Sequence, residues 1–261
     1  MLEHKKIQNL SDYFVELNSR REKGVYFYRI NGYSEEVGEF IKKYYDTARR
    51  TGVVIEGKIP NPDEGNLAYY NEIMGMDFQM SMDFIHVSLR KWLPRMNEFQ
   101  RQNVAASIYD SLDSLRKAGK TENMLRNAYI KFMCWLYYKF ERIVNQLGEN
   151  HIPKILYEGQ ISNYELMLIS ILSNAGCDVV LLQYAGDQGY LKTDPGSVLS
   201  DSLQMEGLQP FPQGYCVKKV RDEIQNELNN ERLYGIRPSL TNCTNAWIRE
   251  TAWMISARAF C

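Results

Sequence analysis

Two short apolar stretches, Pro153-Lys-Ile-Leu-Tyr157 and Asp178-Val-Val-Leu-Leu-Gln-Tyr184, determine the fold class of this sequence. Continuous runs of large and β-branched apolar residues are typical of strands that are buried on both faces. The residues from Asn163 to Ala175 are apolar over the length of a helix, and Gly176 is a typical helix stop. A strand, a helix and a strand in this order predict a βαβ unit, in which the two strands are parallel.

The first 80 residues show the pattern of another α/β part. Acidic residues follow Ser34, as expected in the first turn of a helix, where they complement the positive end of the helix dipole. Aromatic and β-branched residues before Asn31-Gly32 are typical of a strand that ends in a turn. The predicted elements are a helix from Ser11 or Asp12 to Gly24, a strand over Val25–Ile30, a helix from Ser34 to Gly52 and a buried strand over Val53–Ile55.

The residues from 81 to 149 read as helices throughout, because their apolar residues recur three and four positions apart. The stretch Phe132-Met-Cys-Trp-Leu-Tyr-Tyr138 is apolar nearly all round a helix and predicts burial on more than one side. The predicted helices are Met82 to Trp92, Asn97 or Met96 to Lys117, and Thr121 to Leu147-Gly148.

These elements predict an α/β fold with Rossmann-like parallel βαβ units and a helical region inserted between two α/β parts. The parts are residues 1–80, 81–149 and 150–261. The third part also contains a long Gly- and Pro-rich segment over 185–214, a charged helix from Cys216 to Glu231 and a final apolar helix from about Asn245 to Phe260. The sequence leaves open whether the two α/β parts share one sheet or form two lobes.

Composition narrows the range of partners. The chain has 31 basic and 32 acidic residues, so its net charge gives no general attraction to nucleic acid or to anionic membranes. It has no continuous apolar stretch of about 18 residues, and so no membrane span is predicted. The five cysteines are widely spaced without a CxxC pair, which favours a cytoplasmic protein; Cys134 and Cys177 are expected to be buried.

No complete catalytic motif is present in the sequence. Ala118-Gly-Lys-Thr121 matches the end of a P-loop, but the motif requires a glycine where Ser114 stands, and a strand where a helix is predicted. The three histidines are too scattered to predict a metal cluster. We therefore predict no metal site and assign neither a catalytic residue nor a cofactor.

The candidate binding site follows from position. In open parallel sheets, ligands bind beyond the carboxyl ends of the strands, where loops and helix N-termini meet. A helix that starts at Ser162 would offer backbone N–H groups to a phosphate or a carboxylate, and Gly159 would let a ligand approach the backbone. The candidate ligand-binding residues are Tyr157, Glu158, Gly159, Ser162, Asn163, Asp187, Arg29 and Asn31.

Each of these residues also has an ordinary structural explanation. Ser162 would cap its helix, Asp187 would lie in a solvent-exposed turn, and Arg29 would pair with a surface carboxylate. For single residues these explanations are favoured. The cluster as a whole is equally consistent with a binding site, because this edge of such folds is so often used.

Several segments resemble the bacterial YceG-like family. They are Ile152–Gly159, Leu168–Leu172, Gly176–Val180, Phe27–Gly32 and Thr244–Ile248. The resemblance implies a cytoplasmic α/β protein associated with tellurium-resistance and stress operons, as a component of a biosynthetic module. It supplies no established catalytic residues. Family members are usually longer, so the resemblance also leads us to expect that this chain is a fragment or a shortened member.

Two classes of function remain open at this stage. In the first, the βαβ unit binds a nucleotide or sugar-nucleotide metabolite, with residues 185–214 as a lid. In the second, the protein is a non-catalytic scaffold that docks protein partners of the module through residues 81–149 and the final helix.

Overall fold

The computed structural model describes residues 2–61, 65, 67–148 and 152–234. The chain divides into two compact units, residues 1–215 and residues 216–261. The described element of the second unit is a helix, Val217–Tyr234, close to the predicted range. The helix expected from Asn245 to Phe260 lies outside the described residues.

A parallel sheet organises the first unit. Its strands are β1 (Phe27–Ile30), β2 (Val53–Glu56), β3 (Lys154–Glu158), β4 (Asp178–Leu182) and β5 (Asp201–Ser202). In the described residues they form five parallel strands in the order β2-β3-β4-β1-β5. The two α/β parts of the sequence therefore share one sheet, which decides between the two arrangements left open above.

The predicted βαβ unit is confirmed. Strands β3 and β4 pair in parallel, with Ile155 beside Val179, and helix α7 (Asn163–Ala175) connects them. Gly176 ends this helix with φ +134°, a backbone conformation that side chains disfavour. The five residues of β4 are all buried, as its continuous apolar sequence predicts.

Helix α1 (Glu35–Thr51) covers one face of the sheet. The acidic residues of its first turn predict this helix in the sequence. The Ser34 hydroxyl caps it by accepting the N–H of Val37 at 3.2 Å. Gly52 ends the helix where β3 passes so close that a Cβ at this position would lie 1.7 Å from the Lys154 carbonyl oxygen. Only glycine fits at this turn between the helix and β2.

The opposite face is covered by α7 and by the inserted helical region. This region contains α3 (Met82–Trp92), α4 (Glu98–Lys117), α5 (Glu122–Tyr138) and α6 (Glu141–Val144). Helix α2 (Ala68–Met74), which precedes the predicted region and is not predicted from the sequence, contacts α5. Helix α5 is buried on several sides, and Cys134 and Cys177 are both buried, as the sequence predicts. The helix does not continue to Gly148: it stops after Tyr138, and the turn that follows buries Phe140 before α6 begins.

The predicted helix from Ser11 or Asp12 to Gly24 is wrong. This segment forms two short 3-10 helices, Leu10–Phe14 and Leu17–Ser19. The backbone is extended at Val15 between them, and the Arg20 side chain reaches into the protein. The ion pair of Arg20 outweighs the weak helical preference of a polar segment.

Two other expectations need correction. Val53–Ile55 is a strand, but it lies at the edge of the sheet and only Ile55 in it is fully buried. The segment 185–214 is not irregular throughout, because it contains helix α8 (Gln188–Leu191) and the edge strand β5. Helix α8 and strand β5 are short and lie among glycines and prolines, so their sequence carries too little pattern to predict them.

A buried charge cluster closes the amino end of the sheet. The guanidinium of Arg20 donates to both carboxylate oxygens of Asp178, and Lys154 Nζ donates to the same carboxylate at 2.5 Å. The backbone N–H of Tyr26 and the hydroxyl of Tyr44 add hydrogen bonds to Asp178, through its Oδ1 and its carbonyl oxygen. We call Arg20, Lys154 and Asp178 the amino-edge cluster.

Candidate functional site

The connections of two neighbouring strands leave the sheet on opposite faces. After β1, the chain enters α1 on one face. After β4, which pairs with β1, the chain enters α8, and Tyr190 of α8 belongs to the core on the other face. Such a divergence opens a crevice at the carboxyl ends of the two strands, which is where open parallel sheets bind their ligands.

A cleft of about 520 Å³ lies at this point. Its volume is in the range of small-molecule sites. None of the described residues that line it is charged. We call it the carboxyl-edge cleft, and its lining is Asn31, Gly32, Tyr184, Ala185, Gly186, Leu208, Gln209 and Pro210.

The loop that bears Leu208–Pro210 is fixed against the end of β1. Tyr33 and Gln209 exchange backbone hydrogen bonds of 2.6 and 2.9 Å. Gly32 permits this approach, because a Cβ there would lie 2.9 Å from the Leu208 Cβ. Four aromatic rings pack beside the cleft with centroid distances between 4.9 and 5.8 Å: those of Tyr33, Tyr184, Phe211 and Tyr215.

Asn31 and Glu158 are placed at this edge, as predicted. The Asn31 amide lines the cleft and donates to the Ser202 hydroxyl at 3.2 Å. The Glu158 carboxylate accepts the hydroxyl of Tyr184 at 2.5 Å, and Tyr184 lines the cleft. Polar side chains thus connect the end of β1 with β5, and the end of β3 with the residues after β4.

Arg29 and Asp187 also come together, but in the interior. The Arg29 side chain is 2% exposed and its Nη2 donates to Asp187 at 3.1 Å. Its Nη1 donates to the carbonyl and hydroxyl oxygens of Ser200 at 2.6 and 2.8 Å, and its guanidinium stacks on the Tyr190 ring at 4.1 Å. The Nε, Nη1 and Nη2 atoms of Arg29 thus all donate hydrogen bonds to groups of the protein itself.

The same network organises the segment after β4. The hydroxyl of Tyr190 donates to Asp194 at 2.9 Å and accepts the Ser200 hydroxyl at 2.7 Å. Burial raises the pKa of Tyr190 well above its ordinary range, so the phenol stays protonated and can donate. Asp194 in turn accepts the backbone N–H groups of Val198 and Leu199. Arg29 therefore anchors a loop that the sequence describes only as Gly- and Pro-rich.

The backbone at Gly159 is approached closely by another segment of the chain. It adopts φ +104°, and a Cβ there would lie 3.3 Å from the Cα of Gly57. The carbonyl of Gly159 accepts the side-chain amide of Gln183 at 3.1 Å. The close backbone approach expected from this glycine is thus made by the turn after β2, and Gly159 does not line the carboxyl-edge cleft.

The N-terminus of α7 carries its own anion. The Glu165 carboxylate accepts the backbone N–H and the hydroxyl of Ser162 at 3.0 and 2.5 Å, and the N–H of Ile59 at 2.7 Å. Ser162 and Asn163 are exposed, whereas Glu165 is buried. A carboxylate at this position supplies the negative charge that a helix N-terminus favours.

Tyr157 of β3 is fully buried. Its hydroxyl donates to the carbonyl of Gly57 at 3.2 Å. Burial, together with the nearby Glu165 carboxylate, raises the pKa of the phenol above its ordinary range. Tyr157 therefore acts as a hydrogen-bond donor that holds the turns after β2 and β3 together.

Several residues of the cleft were missed by reasoning from sequence. Tyr184, Ala185 and Gly186 line the cleft, but the candidates from the sequence include only their charged neighbour Asp187. Leu208–Pro210 reaches the cleft through the bridge to Tyr33, and nothing in the local sequence indicates that pairing. Among the described residues, no group of three or more His, Cys, Asp or Glu side chains is placed to hold a metal ion.

Comparison with known proteins gives one match. A family model described as the YceG domain matches residues 5–227. No curated protein and no solved structure matches the chain. In the described ranges, none of the helices combines the length and the apolar character that crossing a bilayer requires.

Proposed function

The chain belongs to the YceG domain family, and we propose that it binds a nucleotide or sugar-nucleotide metabolite in the carboxyl-edge cleft. The observation that carries this proposal is the divergence of the connections after β1 and β4, with a cleft of about 520 Å³ at that point. In an open parallel sheet, this is the place that ligands occupy. We propose on the same grounds that the sheet is Rossmann-like.

The uncharged lining suggests which part of the ligand the cleft would hold. The Asn31 amide, the Tyr184 hydroxyl and the Gln209 amide can form hydrogen bonds with a base or a sugar. The described residues that line the cleft include no cation to pair with a phosphate, and Arg29 is already paired with Asp187. We therefore propose that the base or the sugar enters the cleft and that the phosphates remain towards solvent.

Our proposal also includes the cellular role that the resemblance to the YceG-like family implies. A metabolite-binding protein of this type would act in the cytoplasm as a component of a stress-associated biosynthetic module, next to the enzymes that make or use its ligand. Of the segment 185–214 considered as a lid, Leu208–Pro210 is bound to Tyr33 by backbone hydrogen bonds, and we propose that this part serves as a fixed wall of the cleft. The tellurium-resistance association is part of the same proposal.

Thermal unfolding tests the proposal directly. The protein would be heated with a panel of nucleosides, nucleoside diphosphates and sugar nucleotides. A ligand present at 100 times its Kd stabilises the folded state by about 2.7 kcal/mol, which raises the midpoint by several degrees. Because the cleft is uncharged, we expect nucleosides to retain most of the stabilisation that the corresponding nucleotides give.

A matched pair of variants locates the binding site. Ala185 is exposed and lines the cleft, so Ala185→Trp would fill the cleft without disturbing the core. Ala118 is exposed at the end of α4, away from the sheet edge, and Ala118→Trp is the control. We expect Ala185→Trp to lose the thermal shift and Ala118→Trp to keep it. Equal shifts in both variants would place the ligand elsewhere.

A second candidate is a non-catalytic scaffold for protein partners of the module. It is favoured by two large apolar side chains on the inserted helices, Val87 and Phe99, which are 51% and 53% exposed. A scaffold would show no thermal shift with any member of the panel. Its partner complex would instead be weakened by Phe99→Ser, whereas Ala185→Trp would leave that complex intact.

A further inference from the structure

A second cavity lies in the helical region and plays no part in the function proposed above. It has a volume of about 510 Å³ and runs between α2 and α5. Apolar and aromatic side chains supply most of its lining, and we call it the helical groove: Asn61, Leu67, Tyr70, Met74, Asn127, Ile130, Lys131, Cys134 and Trp135.

The groove has a buried floor and exposed walls. Ile130, Cys134 and Trp135 of α5 form the floor and are only 4–5% exposed. On the side of α2, Leu67 and Met74 are each 36% exposed. The apolar surfaces of Leu67 and Met74 remain in contact with water, so an apolar ligand that covered them would gain free energy in proportion to the area buried.

The electrostatics of the groove favour an anion. Lys131 is the one charged residue among the nine described residues that line it. Its ammonium lies 4.8 Å from the centre of the Trp135 ring and 5.0 Å from that of Tyr164, which holds the cation beside the floor of the groove. A second cation, Arg126, donates to the carbonyl of Met74 at the end of α2.

We propose that the helical groove binds a free single-chain anionic amphiphile, with the apolar chain between α2 and α5 and the anionic head at Lys131. The α5 stripe from Asn127 to Trp135 is about 12 Å long at 1.5 Å per residue, which matches an extended chain of the length of decanoate. A mostly apolar lining with one cation provides both parts of such a ligand with a partner.

Methyl NMR with decanoate below its micelle concentration tests this site. The protein would be labelled at the methionine methyl groups, and Met74 would be assigned with Met74→Leu. We expect decanoate to shift the Met74 resonance and to leave that of Met205, which lines a different cavity, unchanged. Octanoate has two methylenes fewer and should bind about tenfold more weakly.

A charge variant tests the role of the cation. Lys131→Gln should weaken decanoate binding about fivefold, as expected for loss of one partly exposed ion pair. Lys120 is exposed and does not line the groove, so Lys120→Gln is the matched control and should bind as the wild type does. Decyltrimethylammonium, which has the same chain and a cationic head, should bind more weakly than decanoate.

Four results would overturn the proposal. The first is an unchanged Met74 resonance at all decanoate concentrations below the micelle point. The second is equal decanoate affinity in Lys131→Gln and the wild type. A third is a Met74 shift that depends on protein concentration without decanoate, which would mean that a second copy covers the groove. The fourth is a Met74 shift caused by anionic phospholipid vesicles but not by decanoate, which would indicate a membrane surface.

Discussion

The two ends of the same sheet are built in opposite ways. At the amino end, Arg20, Lys154 and Asp178 are buried, and both cations donate hydrogen bonds to the Asp178 carboxylate. At the carboxyl end, an open cleft lies between uncharged and partly exposed residues such as Asn31 and Tyr184. Both ends are polar, but the cavity that Arg20 borders at the amino end has a volume of only about 170 Å³, compared with about 520 Å³ for the carboxyl-edge cleft.

This contrast indicates that the two ends of the sheet serve different properties, the amino end stability and the carboxyl end ligand binding. A buried ion cluster contributes little when intact, but removing one member leaves an uncompensated charge in the interior. A half-exposed amide or hydroxyl can exchange water for a ligand at little cost to the fold. Substitutions at the amino end should therefore affect stability, and substitutions at the carboxyl-edge cleft should affect ligand binding.

The largest effect is expected for Asp178→Ala. It would leave Arg20 and Lys154 buried without their shared counterion, at a cost of about 3–5 kcal/mol in the free energy of unfolding. Urea denaturation measures this loss. Asp46→Ala, which removes an exposed pair with Arg50, is the control and should cost less than about 1 kcal/mol. Similar losses in the two variants would contradict the distinction between the ends.

A smaller effect is expected for Arg29→Met. The Asp187 side chain keeps 18% of its surface exposed and can be solvated when its partner is removed, so we expect a loss of about 2 kcal/mol. Local opening should increase more than global unfolding, with faster hydrogen exchange in residues 187–200. Asp187→Asn keeps an acceptor for Arg29 and should have a weaker effect. Unchanged exchange in 187–200 would show that Arg29 does not anchor this loop.

The smallest effect concerns pH. Burial raises the pKa of Tyr13 and Tyr44, beside the amino-edge cluster, well above the ordinary value of 10.0. The unfolded phenols release their protons near that value while the folded ones keep theirs, so stability falls as the pH rises above 10. Burial lowers the pKa of Lys154, which has the opposite effect on stability, but only up to the ordinary lysine value of 10.5.

Tyr13→Phe isolates this contribution above pH 10.5. The variant loses the hydrogen bond from the Tyr13 hydroxyl to the Val179 carbonyl, 3.1 Å long, and should be about 1 kcal/mol less stable than the wild type at pH 7. Between pH 10.5 and 12 the difference should shrink, because the variant has one buried phenol fewer. Urea denaturation across this range checks the trend, and a constant difference would be evidence against it.

The sequence was a good guide to elements with a long or repeated pattern. The βαβ unit was predicted because β3, α7 and β4 are continuous apolar runs separated by turn residues. Helix α1 was predicted from the Ser34 cap and the glycine at position 52. These signals are local, and the tertiary structure agrees with each of them.

Long-range pairing could not be predicted in the same way. The order of the strands places β1 between β4 and β5, a result of packing that no local pattern records. The bridge between Tyr33 and Gln209, which builds one wall of the cleft, joins residues far apart in the sequence. For the same reason the sequence favours a surface ion pair for Arg29, although Asp187 and Ser200 enclose its side chain in the structure.

Hydrogen exchange with bound ligand tests the contrast between the two ends most directly. The protein would be compared with and without the nucleotide or nucleoside that gives the largest thermal shift. We expect slower exchange in residues 31–34 and 183–187, around the carboxyl-edge cleft, and no change in residues 20–26 at the amino end. Slower exchange at the amino end, or an unchanged rate around the cleft, would contradict it.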